Sequence, residues 1–372
     1  GALPALDGSA LTGISAVTTS ATDPAVDTNS TLGAVWINKT SGNTFVCTDA
    51  TTDANVWTNV GAGSGKIEPY SYLGSTKGYA MAGWSLSTSG YIDTSNSFSL
   101  VNDGNATDIG NMTTTGNAYA GGFNSNTHGY TVGGLGVPSF HGDVSRMPFA
   151  SEGDSTDVGD LGSGRYFNHG GCHSTSTHGY TSGGLTHNAI YDDVIMKFAY
   201  GSSVTGSEVA SLTRGTRQLN GCTSATHGFT HGNETSASHS KVIDKFEFAT
   251  DSDAVGHGDL YESMNSNWSN SSETHGFSIG GMIDGTNSAG RNRIERFAFA
   301  SNVTAADYAD LWHGRNYGIG VSGTTHGYSC GGNAGPNSSV NIIQKFQYAS
   351  TSMGTDVGDL VVTAHGMASY QI

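Results

Sequence analysis

The stretch STSTHGYTSGGL, residues 174–185, decides the fold because the chain repeats it. Near copies are SNTHGYTVGGL (125–135), SATHGFTHGN (224–233), SETHGFSIGGM (272–282) and GTTHGYSCGGN (323–333). Their T-H-G histidines, at positions 128, 178, 227, 275 and 326, lie 50, 49, 48 and 51 residues apart. A sixth copy, STKGYAMAGW (75–84), has Lys77 in place of the histidine. A fixed period of about 50 residues is typical of a solenoid or a propeller.

Each repeat contains four short segments with strand patterns and no helical periodicity. After the T-H-G strand comes an aromatic strand such as DKFEFAT (244–250), in which alternate aromatic rings point to one face. An Asp-Gly segment such as TDVGDL (355–360) and a strand of small residues complete the unit. Four strands in each of six repeats predict an all-β fold, a six-bladed β-propeller over residues 66–372.

Ring closure needs one extra strand, and the chain offers two candidates. The C-terminal segment TAHGMASYQI (363–372) resembles the small-residue strand, yet no T-H-G follows it. The segment EPYSYLGS (68–75) competes for the same place beside the first repeat. The sequence leaves both open.

The recurring T-H-G is interpreted as a turn. Lying between two strands, His-Gly would occupy the central positions of a tight hairpin, where positive φ favours glycine and tolerates histidine. Five histidines on five blades would form a ring too wide for one ion, so we predict no metal site and no cofactor.

The composition excludes several classes of function. A net charge of −16 with only 15 Lys and Arg argues against a nucleic-acid partner. No apolar run approaches the length of a membrane span, so we expect no membrane insertion. The first methionine is Met81, and we therefore expect a processed precursor or a piece of a longer protein.

Glycine doublets end the second strand of most repeats: Gly133-Gly134, Gly183-Gly184, Gly280-Gly281 and Gly331-Gly332. An apolar strand ending in Gly-Gly once per repeat resembles the kelch family of propellers. The aromatic residues that follow the kelch glycine pair are not regularly present, so the expected propeller is kelch-like.

The N-terminal part carries a second resemblance. LPALDGSALTGI (3–14) is similar to segments in the tail fibres of tailed bacteriophages. Residues 32–61 resemble a small β-module of virion and tail proteins, those of marine cyanophages especially. The resemblance implies an extracellular virion structural protein, such as a tail or capsid fibre, and brings no catalytic residues.

Three domains are expected. Residues 1–31 are polar with Asp-Pro and Asp-Thr-Asn turn signals, and are assigned as an extended connector arm. Residues 32–65 form a small β-hairpin module with Trp36, Phe45 and Trp57 as its core, followed by a flexible hinge. Residues 66–372 form the propeller.

Few residues suggest chemistry. The paired carboxylates Asp157/Asp160, Asp356/Asp359 and Asp192-Asp193 are interpreted as turn and strand-end hydrogen-bonding groups, with calcium binding as the alternative. The four cysteines lack CxxC spacing and replace small residues, which indicates packing. We expect no enzyme.

Ligand contact is expected on variable loops of one face, which follow the doublets and precede the aromatic strands. The candidate residues are Phe140, His187, Tyr191, Arg291 and Asn292. We expect these loops to bind a host-cell glycan or receptor, and residues 1–65 to contact other virion proteins, with a homotrimer through this part as one assembly. The alternative is a secreted kelch-like lectin or carbohydrate-active enzyme unrelated to phage.

Overall fold

The structure, a computed structural model, describes residues 17–60, 69–113, 117–136, 140–162, 165–166, 171–186, 190–201, 203–283, 290–335 and 338–372. These residues form strands and turns and contain no helix. The chain divides into two compact units, Gly1–Tyr70 and Ser71–Ile372. Residues 1–16 of the predicted arm and residues 61–66 of the predicted hinge lie outside the described residues.

The N-terminal unit contains one four-stranded sheet. Its strands, in spatial order, are β1 (Val17–Ser20), β2 (Val35–Asn38), β3 (Thr44–Asp49) and β4 (Val56–Asn59). Phe45 and Trp57 are fully buried and Trp36 packs against them, as the pattern predicts. The assigned arm differs, because its residues 17–20 pair in parallel with β2.

The second unit is built from antiparallel sheets of four or five strands, which we number along the chain. Sheet 1 contains β31 (Ala368–Gln371), β5 (Lys77–Ser85), β6 (Gly90–Ser99) and β7 (Thr107–Asn111). Sheet 2 contains β8 (Gly121–Asn124), β9 (His128–Leu135), β10 (Phe140–Pro148) and β11 (Thr156–Asp160). Sheet 3 contains β13 (Gly171–Ser174), β14 (His178–Ser182), β16 (Asp192–Ala199) and β17 (Ser207–Thr216).

The remaining sheets follow the same plan. Sheet 4 contains β18 (Asn220–Thr223), β19 (His227–His231), β20 (Ser240–Glu247), β21 (Val255–Asn265) and the short β24 (Met282–Ile283). Sheet 5 contains β22 (Trp268–Ser271), β23 (His275–Ile279), β25 (Arg291–Ala298) and β26 (Ala306–Arg315). Sheet 6 contains β27 (Ile319–Ser322), β28 (His326–Cys330), β29 (Ile342–Gln347) and β30 (Thr355–Asp359). A small separate pair joins β12 (Arg165–Tyr166) to β15 (Leu185–Thr186).

The first strands of these sheets contact one another in succession. Strand β31 contacts β8, β8 contacts β13, and β13 contacts β18. Strand β18 contacts β22, β22 contacts β27, and β27 contacts β31. The prediction of an all-β, propeller-like fold with four-stranded antiparallel sheets is confirmed.

The C-terminal segment completes sheet 1. Strand β31 pairs antiparallel with β5, from Ala368 opposite Met81 to Gln371 opposite Gly78. The competing segment instead packs beside the first strands, where Tyr72 Oη donates a hydrogen bond to Ser272 O (3.1 Å). The sequence offered both candidates, and the structure selects the C-terminal one.

The apolar core is divided into clusters between neighbouring sheets. Between sheets 3 and 4, for example, Tyr180 and Ile195 pack against Phe246 and Phe248. The burial of both Phe246 and Phe248 confirms that the alternating aromatic residues share one face. A low apolar content is sufficient here because each cluster fills only one thin inter-sheet layer.

The T-H-G turn prediction is wrong. Residues 125–127 make the reversal, with Ser125 N donating to His128 O (2.9 Å), and His128 and Gly129 begin β9 without positive φ. Thr127 Oγ1 lies 2.8 Å from His128 Nδ1, and the other four T-H-G copies repeat this contact. The histidine therefore fixes the start of a strand.

The glycine of T-H-G is required by packing against aromatic rings. A Cβ on Gly129 would overlap the ring of Tyr370 in sheet 1. Gly179 meets Phe123 of sheet 2 in the same way, whereas the other three meet the ring of their cross-strand partner in their own sheet: Gly228 meets Phe246, Gly276 meets Phe297 and Gly327 meets Phe346. An aromatic ring thus lies directly on the backbone of each second strand.

We expect Gly129→Ala to lower the free energy of unfolding by about 1–3 kcal/mol, because the added methyl group displaces a buried ring. Urea unfolding followed by circular dichroism measures the loss. The matched control is Gly256→Ala on β21, where a Cβ has no neighbour within 4 Å and φ is not positive. Equal stability of the two variants would contradict the packing explanation.

Candidate binding face

Because neighbouring strands in each sheet run antiparallel, two kinds of connection lie on the same face of the second unit. These are the connections between second and third strands and those leading from each fourth strand to the next sheet. We call this side the loop face. The opposite side, which carries the turns that precede the T-H-G histidines, is the turn face.

The predicted site residues that the structure describes lie on the loop face and have different partners. Phe140 begins β10 with its backbone opposite Leu135, and His187 lies outside the described residues. Tyr191 Oη donates a hydrogen bond to Glu234 Oε1 (2.9 Å). Arg291 Nη2 lies 2.6 Å from Glu262 Oε2, and the next residue, Asn292, is exposed.

The middle of the loop face holds a cluster that the sequence analysis missed. It consists of Tyr119, Gln218, Tyr317 and His365, which we call the mouth cluster. The rings of Tyr119 and Tyr317 lie 5.5 Å apart at 63°, and Gln218 Nε2 donates to Tyr317 Oη (3.2 Å). Tyr119 Oη lies 3.1 Å from His365 Nε2. These side chains come from the segments that lead into sheets 2, 4, 6 and 1, so they converge from around the unit.

An ion pair adjoins the mouth cluster. Arg217 Nη2 donates to Glu234 Oε1 (2.8 Å), and its guanidinium lies 5.1 Å from the centre of the Tyr191 ring. Asn265 Nδ2 bridges the two groups by donating to Gln218 Oε1 (2.8 Å) and Glu234 Oε2 (2.9 Å). A continuous hydrogen-bond network therefore joins Tyr191 to the mouth cluster.

The network is electrically neutral at pH 7. Burial lowers the pKa of His365 to about 4, so the imidazole is uncharged. Burial opposes ionisation of Glu234, but hydrogen bonds from Arg217 and Tyr191 outweigh it and lower the pKa of the carboxyl group. The remaining charges are thus one paired cation and one paired anion.

A cavity runs behind the mouth cluster among the first strands. Its cavity volume is about 100 Å³, and Ala120 and Gly318, the residues after Tyr119 and Tyr317, are part of its lining. The other lining residues are glycines and small polar residues for the most part, with Tyr72, Trp268 and Tyr370 as the large ones. Among the described lining residues none is an acid, a base or a histidine.

The remaining candidates have structural partners. Asp157 Oδ1 accepts a hydrogen bond from Gly159 N (3.1 Å), and Asp356 Oδ1 accepts one from Gly358 N (3.2 Å), as the strand-end interpretation predicts. All four cysteines are free, and three of them are buried. Within the described ranges, no three His, Cys, Asp or Glu residues are placed to share a metal ion.

Two further findings concern membrane-spanning helices and similarity to known proteins. The part that the structure describes contains no helix long and apolar enough to cross a membrane. No protein-family model matches the sequence, and no curated protein is detectably similar to it.

One sequence signal points to the mouth cluster. Gly366 occupies the same place before β31 that Tyr119, Gln218 and Tyr317 occupy before β8, β18 and β27. A glycine at this place indicates a left-handed backbone, and all four residues have φ between 53° and 62°. Aligning the repeats on their small-residue strands would have revealed it.

Proposed function

We propose that Ser71–Ile372 is a six-bladed, kelch-like β-propeller in which each numbered sheet is one blade. The succession of first-strand contacts supports this, since it leads from β31 through the other five sheets and back to β31. An ion pair also lies at the junction of sheet 6 with sheet 1, where Lys345 Nζ is 2.5 Å from Asp103 Oδ1. A buried cluster also spans this junction, where Phe98 of sheet 1 packs with Tyr328 of sheet 6.

We further propose that the protein is a non-enzymatic virion structural protein of a tailed phage, extracellular, with its loop face used in host attachment. The observation that carries attachment is the loop face itself, where connections of different lengths surround a cluster of aromatic and hydrogen-bonding side chains. The titratable groups beside this cluster bind one another, since Glu234 accepts hydrogen bonds from both Arg217 and Tyr191. Groups paired in this way suit ligand recognition better than proton transfer.

The phage context is supported by the N-terminal resemblances at residues 3–14 and 32–61. On this basis we propose that residues 1–65 contact other virion proteins. A homotrimer formed through this part is one arrangement that fits the proposal. The genes beside the coding sequence test this context. Tail or capsid genes there would support it, whereas an isolated gene encoding a signal peptide would indicate a secreted kelch-like lectin or carbohydrate-active enzyme.

Labelled protein is expected to bind cells of its host, and shortening the connection 283–292 is expected to weaken binding at least tenfold. The reason is that this long connection joins the second and third strands of sheet 5, and connections of that kind belong to the loop face. Flow cytometry over a panel of candidate hosts measures the effect. A variant shortened at the turn 350–353 on the turn face is the control, with circular dichroism as a check of folding.

Undiminished binding after every loop-face connection has been shortened in turn would contradict attachment by this face. It would assign the propeller a purely architectural role in the particle.

A further inference from the structure

Residues before the first strands are held in a conformation that side chains rarely adopt. Tyr119, Gln218 and Tyr317 have φ of 62°, 53° and 55°, and Ser266 has φ of 55° in the same place before β22. Left-handed backbone is unfavourable for residues with a Cβ and costs glycine nothing. Glycine is sufficient for this turn, because Gly366 forms the equivalent turn before β31 with φ of 61°.

Backbone hydrogen bonds hold this conformation. Tyr119 N donates to Gly366 O (2.5 Å), Gly366 N to Tyr317 O (2.9 Å), and Tyr317 N to Ser266 O (2.8 Å). The chain of bonds links the entries to sheets 2, 1, 6 and 5 and holds the Tyr119 and Tyr317 rings beside each other, where Gln218 Nε2 donates a hydrogen bond to Tyr317 Oη. The turn explains the backbone geometry, but it does not explain two tyrosines and a glutamine where glycine is sufficient.

The chemistry of these side chains is that of a sugar-binding site. Two half-buried phenol rings offer apolar surfaces for the C–H face of a pyranose. Its hydroxyls would replace some of the hydrogen bonds that the phenol hydroxyls and the Gln218 amide now make with each other, His365 and Asn265. The adjoining Arg217 is already paired with Glu234, and the chain carries a net charge of −16, so an anionic sugar is disfavoured.

We propose that the mouth cluster binds a neutral sugar residue of a cell-surface glycan, with Tyr317 and Tyr119 as the stacking surface and Gln218 as a hydrogen-bonding group. The inference rests on the proposed attachment by the loop face and places its recognition site in the middle of that face. The competing explanation is that the same side chains only brace the sheets across the cavity.

Glycine substitution separates binding from bracing. Because the backbone at position 317 is already left-handed, Tyr317→Gly removes the side chain and relieves the strain together. We expect intact protein to bind neutral oligosaccharides on a glycan array, and Tyr317→Gly to weaken binding to the best of them at least tenfold in calorimetric titration. The midpoint of thermal unfolding should stay within a few degrees of the unaltered protein.

Gln218→Gly provides a second test at another left-handed position and should weaken binding several-fold. The control is Tyr261→Ala, which removes a tyrosine 57% exposed on the outer strand β21 and should leave binding unchanged. Unchanged binding in both glycine variants, or no neutral oligosaccharide bound by the intact protein, would overturn the proposal. A large fall in the unfolding midpoint with binding retained would establish bracing instead.

Cell binding distinguishes this proposal from the proposed function. Protein that binds host cells equally well with Tyr317→Gly and in the presence of free sugars would overturn the mouth site and leave loop-face attachment standing. Protein that binds the sugar but no cell would support the mouth site and contradict host attachment.

Discussion

Lowering the pH from 7 to 5 is expected to destabilise the protein by about 4 kcal/mol, because three buried histidines cannot accept a proton in the folded state. His173, His231 and His365 are 1%, 0% and 4% exposed, and burial lowers their pKa values to about 3, about 3 and about 4. In the unfolded chain their pKa is about 6.5. The stability that neutral imidazoles contribute is therefore complete above pH 6.5 and is lost as the pH falls toward the folded values.

The size of the effect follows from proton linkage. Each histidine loses roughly 2 kcal/mol between pH 7 and pH 5, so the three together lose about 6 kcal/mol. Glu295 acts in the opposite sense, since burial raises the pKa of its carboxyl group to about 7 although Tyr261 N donates a hydrogen bond to it. Its contribution is present at acid pH and is lost as the pH rises through 7, which offsets about 2 kcal/mol of the histidine loss.

Two variants separate these contributions. His231 occupies the place of Val132 and Ile279 in other repeats, so His231→Ile is expected to reduce the loss of stability between pH 7 and pH 5 by about half. Glu295→Gln is expected to steepen it, because the opposing group is removed. Urea unfolding at pH 7, 6 and 5 measures both. Stability that stays constant or rises toward pH 5 in the unaltered protein would contradict the linkage.

Much of the fold could be predicted because the repeat supplies independent copies of each signal. The alternating aromatic residues of DKFEFAT (244–250), for example, predicted a shared face, and Phe246 and Phe248 are both buried. The T-H-G turn failed for a physical reason. The prediction assumed that glycine is needed for the dihedral angles of a turn. Gly129 is instead required by the ring of Tyr370, which lies 241 residues away in the chain.

Less of the candidate site could be predicted. Tyr191 was singled out as a loop residue, and the structure joins it to Glu234, Asn265 and Gln218 through hydrogen bonds. Tyr119 and Tyr317 were missed because they lie almost 200 residues apart and meet only when the sheets surround a common cavity. A left-handed tyrosine carries no sequence signal of its own, so only the equivalent Gly366 marks the place.

Removal of the last five residues, 368–372, is expected to abolish cooperative folding of Ser71–Ile372. Strand β31 supplies the first strand of sheet 1 and contacts both β8 and β27, so its loss leaves β5 as an unpaired edge and opens two inter-sheet layers. The milder change Tyr370→Ala is expected to lower the free energy of unfolding by about 3–5 kcal/mol. Tyr370 is 2% exposed, and its ring centre lies 5.6 Å from that of Tyr79 and 5.9 Å from that of Phe149.

Calorimetry of the full chain and the two variants measures the loss, and Tyr261→Ala, at a tyrosine 57% exposed, should stay within about 0.5 kcal/mol. Adding the free peptide 363–372 to the truncated protein tests closure directly, because a strand that completes sheet 1 should raise stability with the logarithm of the peptide concentration above its Kd. A truncated protein that unfolds at the same midpoint as the full chain would show that the ring is not closed by β31, and the six-bladed arrangement would fail with it.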